Sequence, residues 1–375
     1  MSVYSRAVSL LLLAVLRVAH GDSSHQLHFR KADAQTLRVV AGLKGHHYHQ
    51  PVGCGNDGHL VADQGFWFSN FTVGASQNLE LLVDTGSTSV IINSGLYHPS
   101  PGGIKTGKPF QISYGTTNSD GTGDVTANGT IYKDIVSQHG GGGGAKLLVR
   151  HQGLGDIKSP ASPAPLPHDG IVGFCGSAES SALGETPFIH NLCDQGVLSS
   201  CRFGLALHTN LTGDIYYGAL PTDLLAHDLV SAPIHREWTI RDALALTLNG
   251  KIIRPSVNIS TDSGRAVVLG PTDQVTQLFE AAGVQVVRSG DGTVTTVTGY
   301  YDCRAPPKIG FSLGGQTFDI VPAALAYARR GNNCTASVKG ASSLDNWWLI
   351  GQPFFQGRYV DHDIQAQRMG FANLK

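Results

Sequence analysis

The sequence predicts an all-β protein made of two lobes that are built alike. The chain from about residue 56 to 235 is rich in β-branched residues, Gly and short polar turns, which is typical of β-sheet lobes. Two distant segments, 81–92 and 257–269, share one pattern: an apolar run, Asp, a hydroxyl residue, Gly and a second apolar run. Two apolar residues and a Gly follow each of them, at 171–173 and 349–351, and in each half that Gly lies 89 residues after the Asp. We therefore expect one carboxylate loop per lobe, with the apolar segment packed beneath it.

Asp84 opens a tight turn between two apolar runs. A carboxylate buried there is costly unless hydrogen bonds or a shared proton compensate, so we interpret Asp84 as functional. Gly86 allows close backbone approach. Three short hydroxyl side chains can hold the carboxylate: Thr85, Ser87 and Thr88. The alternative, an ordinary polar turn, is disfavoured by the second copy of the pattern around Asp262.

With two such loops at matched spacing, the sequence resembles the pepsin-like aspartic peptidases. The resemblance implies a bilobal pepsin-like acid protease fold, with two related β-barrel-like lobes, a cleft between them and a few short helices. It implies that Asp84 and Asp262 are catalytic, that Gly86 and Gly264 let the substrate backbone approach, and that Ser87 hydrogen-bonds Asp84. It implies that neither a metal nor another cofactor is required.

The first 55 residues are predicted to form two segments that are removed from the mature protein. Arg6 precedes an apolar run too short to span a bilayer, so we predict a signal peptide over 1–21 rather than a membrane anchor. Residues 22–55 are basic, and by resemblance they form a propeptide that covers the acidic cleft. The alternative is a disordered basic leader with no inhibitory role. We expect the N-terminal lobe over 56–235 and the C-terminal lobe over 236–375, in a protein that is secreted or held in an acidic secretory compartment.

The stretch 110–117 alternates and then enters a polar turn, and by resemblance it is the flap that closes over substrate. Tyr114 matches the flap tyrosine, and Gly115 and Thr116 are the neighbouring substrate-binding positions. The alternative for Tyr114 is an ordinary strand aromatic. The family often has a Trp where this chain has Ile91, so the Tyr114 hydroxyl must find water or another partner.

The remaining segments predict short helices and a closing strand pair. Thr186 is expected to cap a helix that Gly196 ends, and a second helix is expected from residue 272 to Gly283. Residues 354–371 alternate as a strand pair would. His168 stands where the family usually has an apolar aromatic, so we expect a more polar cleft wall there.

Arg265 departs from the family, which usually has Thr or Ser there to serve the second Asp as Ser87 serves the first. A cation so close would favour the ionised carboxylate and lower the pKa values of the pair. We hypothesise that Arg265 weakens activity or shifts it to lower pH, and that Arg265→Thr raises the upper apparent pKa of the pH–rate profile. The alternative is that the side chain points to solvent and changes little.

The composition of the chain narrows the class of molecule that the protein can bind. The chain is 41% hydrophobic and carries a formal net charge of −1, so it offers two cores and no basic field for nucleic acid. We expect a monomer that acts on protein or peptide substrates, with no nucleic-acid or membrane partner. Six cysteines in a secreted chain suggest disulfides. By resemblance Cys303 pairs with Cys334, and Cys193 with Cys201 is a first guess.

Five sequons permit glycosylation: Asn70, Asn128, Asn210, Asn258 and Asn333. We expect Asn258 to lie in a buried strand.

Two functions remain open from the sequence. The first is a secreted acid endopeptidase that cuts between bulky apolar residues, as the two carboxylate loops and Tyr114 favour. The alternative is a catalytically impaired relative that binds or inhibits proteins or peptides, as Arg265, Ile91 and His168 favour.

Overall fold

The computed structural model describes residues 58–63, 66–115, 124–138, 147–159, 161, 165–176, 181–290 and 295–375. The predicted signal peptide and propeptide lie outside the described residues. The strands of the first half are β1 Gly58–Asp63, β2 Phe66–Val73, β3 Ser76–Asp84, β4 Val90–Ile92, β5 Ile104–Gly115, β6 Asp124–Gln138, β7 Leu147–Ile157, β8 Gly170–Gly173, β9 Arg202–Leu207, β10 Thr212–Tyr217 and β11 Val230–Pro233.

The strands of the second half are β12 Thr239–Leu248, β13 Lys251–Thr261, β14 Val268–Pro271, β15 Gln285–Gly290, β16 Thr295–Asp302, β17 Ile309–Leu313, β18 Gln316–Asp319, β19 Ala326–Arg330, β20 Asn333–Ala341, β21 Trp347–Ile350, β22 Arg358–Asp363 and β23 Arg368–Asn373. The helices are α1 Phe188–Asp194, α2 Thr272–Ala281, α3 Pro322–Leu325 and α4 Gln352–Phe355. The all-β prediction with a few short helices is confirmed.

Two sheets organise the molecule, one for each lobe. The first has the order β11-β23-β22-β9-β10-β1-β2-β3-β8-β4-β7-β6-β5, and an additional β2–β6 pairing closes part of it on itself like a barrel. The second has the order β15-β16-β20-β14-β21-β13-β12-β17-β18, with β19 paired to β20. Apolar side chains that alternate along these strands form the cores.

The apolar-apolar-Gly segments lie beside the strands that lead to the two Asp residues, as the matched spacing predicts. β8 runs parallel to β3, with Asp84 opposite Gly173, and β21 runs parallel to β13, with Thr261 opposite Ile350. β4 and β14 complete the two arrangements as antiparallel partners of β8 and β21. The two carboxylate loops therefore leave equivalent points of the two sheets.

Gly is required where these segments pass beneath the loops. A Cβ on Gly173 would lie 2.5 Å from the carbonyl oxygen of Ser87, and one on Gly351 would lie 2.0 Å from that of Val267. Any larger residue would push the backbone of the loop away.

The closing strand pair is present, but it belongs to the sheet of the first half. β22 pairs along its whole length with β9, and β23 pairs with β11. Strands 151 residues apart in the chain, counted from Leu207 to Arg358, are thus direct neighbours. Alternation predicted the strands, while their partner depends on long-range packing that a local pattern does not encode.

The start of α1 corrects one sequence prediction. The helix begins at Phe188, with Pro187 in the extended conformation (ψ 153°) at its N-cap and no side-chain cap. Thr186 is not the cap; its carbonyl accepts hydrogen bonds from the Gln152 and Asn191 amides. The residue before a proline is disfavoured in the helical region, which keeps Thr186 outside. Gly196 does end this segment, with φ +67°.

Helix α2 agrees with its prediction: Val275, Leu278 and Phe279 are buried and Gly283 follows with φ +66°. Two disulfides are present, Cys193–Cys201 and Cys303–Cys334, both as expected.

Asn258 corrects a prediction, since it is half-buried rather than buried, and its Oδ1 accepts the amide of Asp242. No helix within the described ranges combines the length and apolarity that a bilayer crossing needs.

Candidate active site

Asp84 and Asp262 meet where the two lobes face each other. Asp84 ends β3 and Asp262 directly follows β13. The Oδ1 of each Asp accepts the backbone amide of the Gly two residues on, at 2.8 Å from Gly86 and 3.0 Å from Gly264. A Cβ on Gly86 would lie 2.5 Å from Cγ of Asp262, and one on Gly264 would lie 2.4 Å from Oδ1 of Asp84. Each glycine therefore packs directly against the carboxylate of the opposite loop, and the absent side chains are what let the two acids come together.

The residues between Asp and Gly tie the loops to each other. The Thr85 amide donates to Oγ of Ser263 at 3.0 Å, and the Ser263 amide donates to Oγ1 of Thr85 at 2.9 Å. Ser263 Oγ also donates to the carbonyl of Val83 at 2.7 Å. The sequence predicted that Thr85 holds its own carboxylate; instead it bonds the opposite loop, and Thr88 contacts Ser89.

The environment of Asp84 favours its protonated form. Burial first, and then the charge of Asp262, raise the pKa of Asp84 to about 7, while the Ser87 hydroxyl and the Gly86 amide act in the opposite direction. Ser87 Oγ is buried beside the carboxylate but makes no well-formed hydrogen bond to a described residue. The predicted Ser87–Asp84 interaction is therefore a close polar contact rather than a fully formed hydrogen bond.

Arg265 lies beside Asp262 and not in solvent. Its Nε donates to Oδ2 of Asp262 at 3.2 Å, and its side chain is only 5% exposed. The alternative that the side chain points to solvent is wrong. The Arg265 carbonyl also accepts the Gln352 amide at 2.8 Å, which fixes the backbone under the guanidinium.

Tyr114 approaches the pair from the hairpin of β5 and β6, which the sequence predicts to be the flap. Its hydroxyl is buried and has no hydrogen-bond partner among the residues that the structure describes. Burial, and then the charge of Asp84, raise its pKa well above the usual value. Gly115 ends β5, and Thr116 lies outside the described residues. Ile91 is fully buried in the same apolar cluster as Tyr114.

His168 lies at the edge of that cluster. Its ring is 3.9 Å from the ring of Phe68, and its Nδ1 is 2.8 Å from Oε2 of Glu80. The position expected to be more polar therefore carries an imidazole–carboxylate pair beside an apolar wall.

Sequence reasoning missed three supporting groups. The Thr85–Ser263 exchange joins residues 178 apart, so no local pattern could reveal it. Trp67 Nε1 donates to Oε1 of Gln352, which links β2 to α4 under the second loop. The backbone amide of Cys175, a residue whose free thiol is buried, donates to the Ser87 carbonyl, and the sequence signal for it was a cysteine just after the apolar-apolar-Gly segment. Over the described ranges, no three His, Cys, Asp or Glu residues cluster as metal ligands would.

A bilobal all-β fold in which two Asp-hydroxyl-Gly loops meet is the arrangement of an aspartic peptidase. A sequence profile described as eukaryotic aspartyl protease matches residues 66–374. The chain belongs to the eukaryotic aspartyl protease family, and its class is that of the aspartic-type endopeptidases.

Comparisons with individual proteins agree with this family assignment. Over 337 residues the chain is 29% identical to an aspartic protease of Phaffia rhodozyma, covering 84% of this chain and 78% of that protein. It is 26% identical over 317 residues to secreted aspartyl protease 1 of Malassezia globosa, covering 83% and 74%. The crystal structure of an aspartic proteinase from Irpex lacteus superposes with a TM-score of 0.69 at 19% identity, covering 86% of this chain and 98% of that one, and this likeness shows the shared fold.

Proposed function

We propose that the chain is a secreted endopeptidase that hydrolyses peptide bonds at acidic pH, with Asp84 and Asp262 as its catalytic acids. One observation carries the proposal: each Asp lies against the Gly of the opposite loop, so that two carboxylates face one another at the meeting point of the lobes. Carboxylates about 3 Å apart cannot both ionise readily, so such a pair shares one proton.

The shared proton provides general acid and general base in one step. The ionised carboxylate takes a proton from a water molecule, whose oxygen adds to the scissile carbonyl, while the protonated carboxyl donates its proton to the carbonyl oxygen. The tetrahedral intermediate is uncharged at the former carbonyl and is not bonded to the enzyme. Its collapse returns one proton to the leaving nitrogen and one to the pair, and the starting protonation is restored.

The acidic working range follows from the proton that the pair must keep. The pKa of Asp84 is raised to about 7 by burial and by Asp262, so the singly protonated pair persists through the mildly acidic range and is lost near neutrality. This supports activity below about pH 7.

The surroundings of Tyr114 support a preference for bulky apolar substrate side chains. Tyr114 belongs to an apolar cluster that extends across the hairpin of β5 and β6 and the strands on either side of the first carboxylate loop. Its other members include Phe66, Phe68, Leu82, Ile91, Phe110 and Ala266. These members are at most 9% exposed, so they form the base of an apolar wall, and a substrate side chain would meet that wall at the partly exposed Ile112, which packs against the cluster.

Export is supported by the N-terminal sequence and by two disulfides, which persist in oxidising compartments. The Malassezia globosa relative is itself described as secreted. We therefore place this chain outside the cytosol, after removal of residues 1–21 and of the basic segment 22–55.

The test is cleavage of denatured haemoglobin or casein by the purified secreted protein between pH 2 and 7. We expect acid activity that pepstatin inhibits and that Asp84→Asn abolishes. Activity that resists both treatments would reject the two-carboxylate mechanism. A folded, processed protein with no turnover at any pH would instead support the binding role, for which Arg265 beside Asp262 is the specific reason.

A further inference from the structure

The two carboxylate loops are symmetric up to the third residue after each Asp and differ there. Both Asp residues accept the amide of the following Gly, and both hydroxyl residues bond the opposite loop. The next side chain is the neutral hydroxyl of Ser87 in the first loop and the guanidinium of Arg265 in the second. The first difference in side-chain charge between the two loops therefore falls at this position.

Arg265 is held in place and almost completely buried. The residue is 4% exposed, its Nε donates to Oδ2 of Asp262, and its amide and carbonyl are both bonded. Its Nη1 is buried and has no partner among the described residues. A guanidinium does not lose its proton in proteins, so this group is a permanent buried cation. A buried charge is tolerated when it is paired with an opposite charge, and the carboxylate bonded to Arg265 is that of Asp262.

Tyr114 and Cys175, two described titratable residues on which the charges of the pair act, do not supply a competing charge. Burial, and then the charge of Asp84, raise the pKa of Tyr114 well above the usual value, so its hydroxyl stays neutral. Burial, and then the charge of Glu237, raise the pKa of Cys175 well above the usual value, so its thiol stays protonated. Burial, and then Asp262, raise the pKa of Asp84 to about 7. One cation therefore faces two carboxyl groups, and one of them is disposed to keep its proton.

We propose that Arg265 is a positioning residue that fixes the single proton of the pair on Asp84 and keeps Asp262 ionised. The two acids then have assigned roles. Asp262 is the base that takes the proton from the attacking water, and Asp84 is the acid that protonates the carbonyl oxygen. In the second step Asp262 gives its proton to the leaving nitrogen, and Asp84 recovers its proton from the intermediate. The inference rests on the proposed function for these kinetic roles, but the proton assignment can be tested without turnover.

The assignment has two consequences for activity. Protonating Asp262 would leave Arg265 as a buried cation without an anion, so the doubly protonated, inactive pair forms only at lower pH than it would without Arg265. The same cation makes Asp262 a weaker acceptor for the proton of water, which lowers the rate of the addition step. Arg265 thus extends activity towards low pH at the expense of maximal rate.

The first test measures stability and needs no activity. At pH 4 we expect Asp84→Asn to change the midpoint of thermal unfolding by less than about 2 °C, because the amide replaces a carboxyl that is neutral in the folded protein and only partly ionised in the unfolded chain. Asp262→Asn should lower it by roughly 5–10 °C, because it leaves Arg265 unpaired. Adding Arg265→Met to Asp262→Asn should recover most of that loss.

Equal losses in the two single variants, or no recovery in the double variant, would overturn the assignment. If Asp262→Asn does not fold, the double variant decides: the proposal expects it to fold, and failure of both contradicts it.

The second test is the pH–rate profile. Arg265→Met and Arg265→Thr should move the midpoint of the acid limb up by about one pH unit or more, a tenfold change in the proton dissociation constant, and should raise the maximal kcat. Arg265→Lys keeps the charge and should leave the limb close to that of the parent. An unmoved limb in Arg265→Met would overturn the proposal. A parent protein with no cleavage at any pH would reject the proposed function alone, since the stability comparison would still stand.

Discussion

The hydroxyl of Thr85 accepts the amide of Ser263, and the hydroxyl of Ser263 accepts the amide of Thr85, at 2.9 and 3.0 Å. The two residues belong to different lobes and are fully or almost fully buried. Because each lies next to one of the two Asp residues, this exchange sets the distance between the carboxylates. The exchange therefore joins the two lobes directly at their carboxylate loops.

We predict that Ser263→Ala destabilises the protein by roughly 2–4 kcal/mol, because it leaves the Thr85 amide and the Val83 carbonyl buried without partners. Thermal unfolding measures the effect. Ser337→Ala is the matched control, since Ser337 Oγ is equally buried but has no partner among the described residues. The two substitutions should differ clearly, and equal losses would show that the exchange contributes nothing specific.

We predict that Gly86→Ala lowers kcat at least a hundredfold while the protein still folds. The new Cβ would lie 2.5 Å from Cγ of Asp262, so the two carboxylates must separate. Steady-state kinetics and circular dichroism measure the two properties. Gly102→Ala is the control, because its Cβ would approach no closer than 3.9 Å to the Ser100 hydroxyl and should change neither. Full activity in Gly86→Ala would contradict the close contact.

We predict that Asp84 makes the protein less stable as pH rises towards neutrality. Its pKa is raised from 3.8 to about 7 on folding, so its contribution is fully present below pH 3.8 and is lost as pH rises through 7, by about 4 kcal/mol at most. Unfolding temperatures at pH 4 and pH 8 should differ less in Asp84→Asn than in the parent. Asp223→Asn, at an exposed position, should leave the difference unchanged.

We predict the opposite pH dependence from His362. The ring is fully buried, stacks on Phe203 at 4.5 Å and packs against Trp238, and neither ring nitrogen makes a well-formed hydrogen bond to a described residue. Burial lowers its pKa from 6.5 to about 3. Its contribution to stability is fully present above pH 6.5 and is lost as pH falls through 3, by about 5 kcal/mol at most.

His362→Phe should therefore raise the unfolding temperature at pH 3 relative to the parent and have a smaller effect at pH 7. His98→Phe, at an exposed position, is the control and should alter neither. A variant that gains nothing at pH 3 would mean that His362 is accommodated as a cation.

The sequence predicted those parts of the site whose pattern lies within a short stretch of the chain. Asp84 and Asp262 stand out because each follows an apolar strand and precedes a Gly, and the apolar-apolar-Gly segments repeat at one spacing. The strands that these patterns predict are paired in the predicted way, with Leu82 opposite Ile171 and Ser260 opposite Leu349.

The rest depends on groups that are distant in the chain. Nothing near Thr85 indicates that its partner is Ser263, and nothing near Arg265 decides between solvent and Asp262, because the long side chain can reach either. The start of α1 was misplaced for a related reason: the carbonyl of Thr186 is occupied by side chains from elsewhere, including Gln152 on β7.

The pairing of β22 with β9 has a consequence for biosynthesis. During translation β9 emerges about 150 residues before its neighbour, which at 5–20 residues per second leaves its edge uncovered for roughly 8–30 s. An unpaired strand edge is a template for association with other chains, so the nascent protein needs protection through that interval. Completion of the first sheet is therefore an event that follows synthesis of the second lobe, and a nascent chain stalled before residue 358 would remain prone to aggregation however well its early segments had folded.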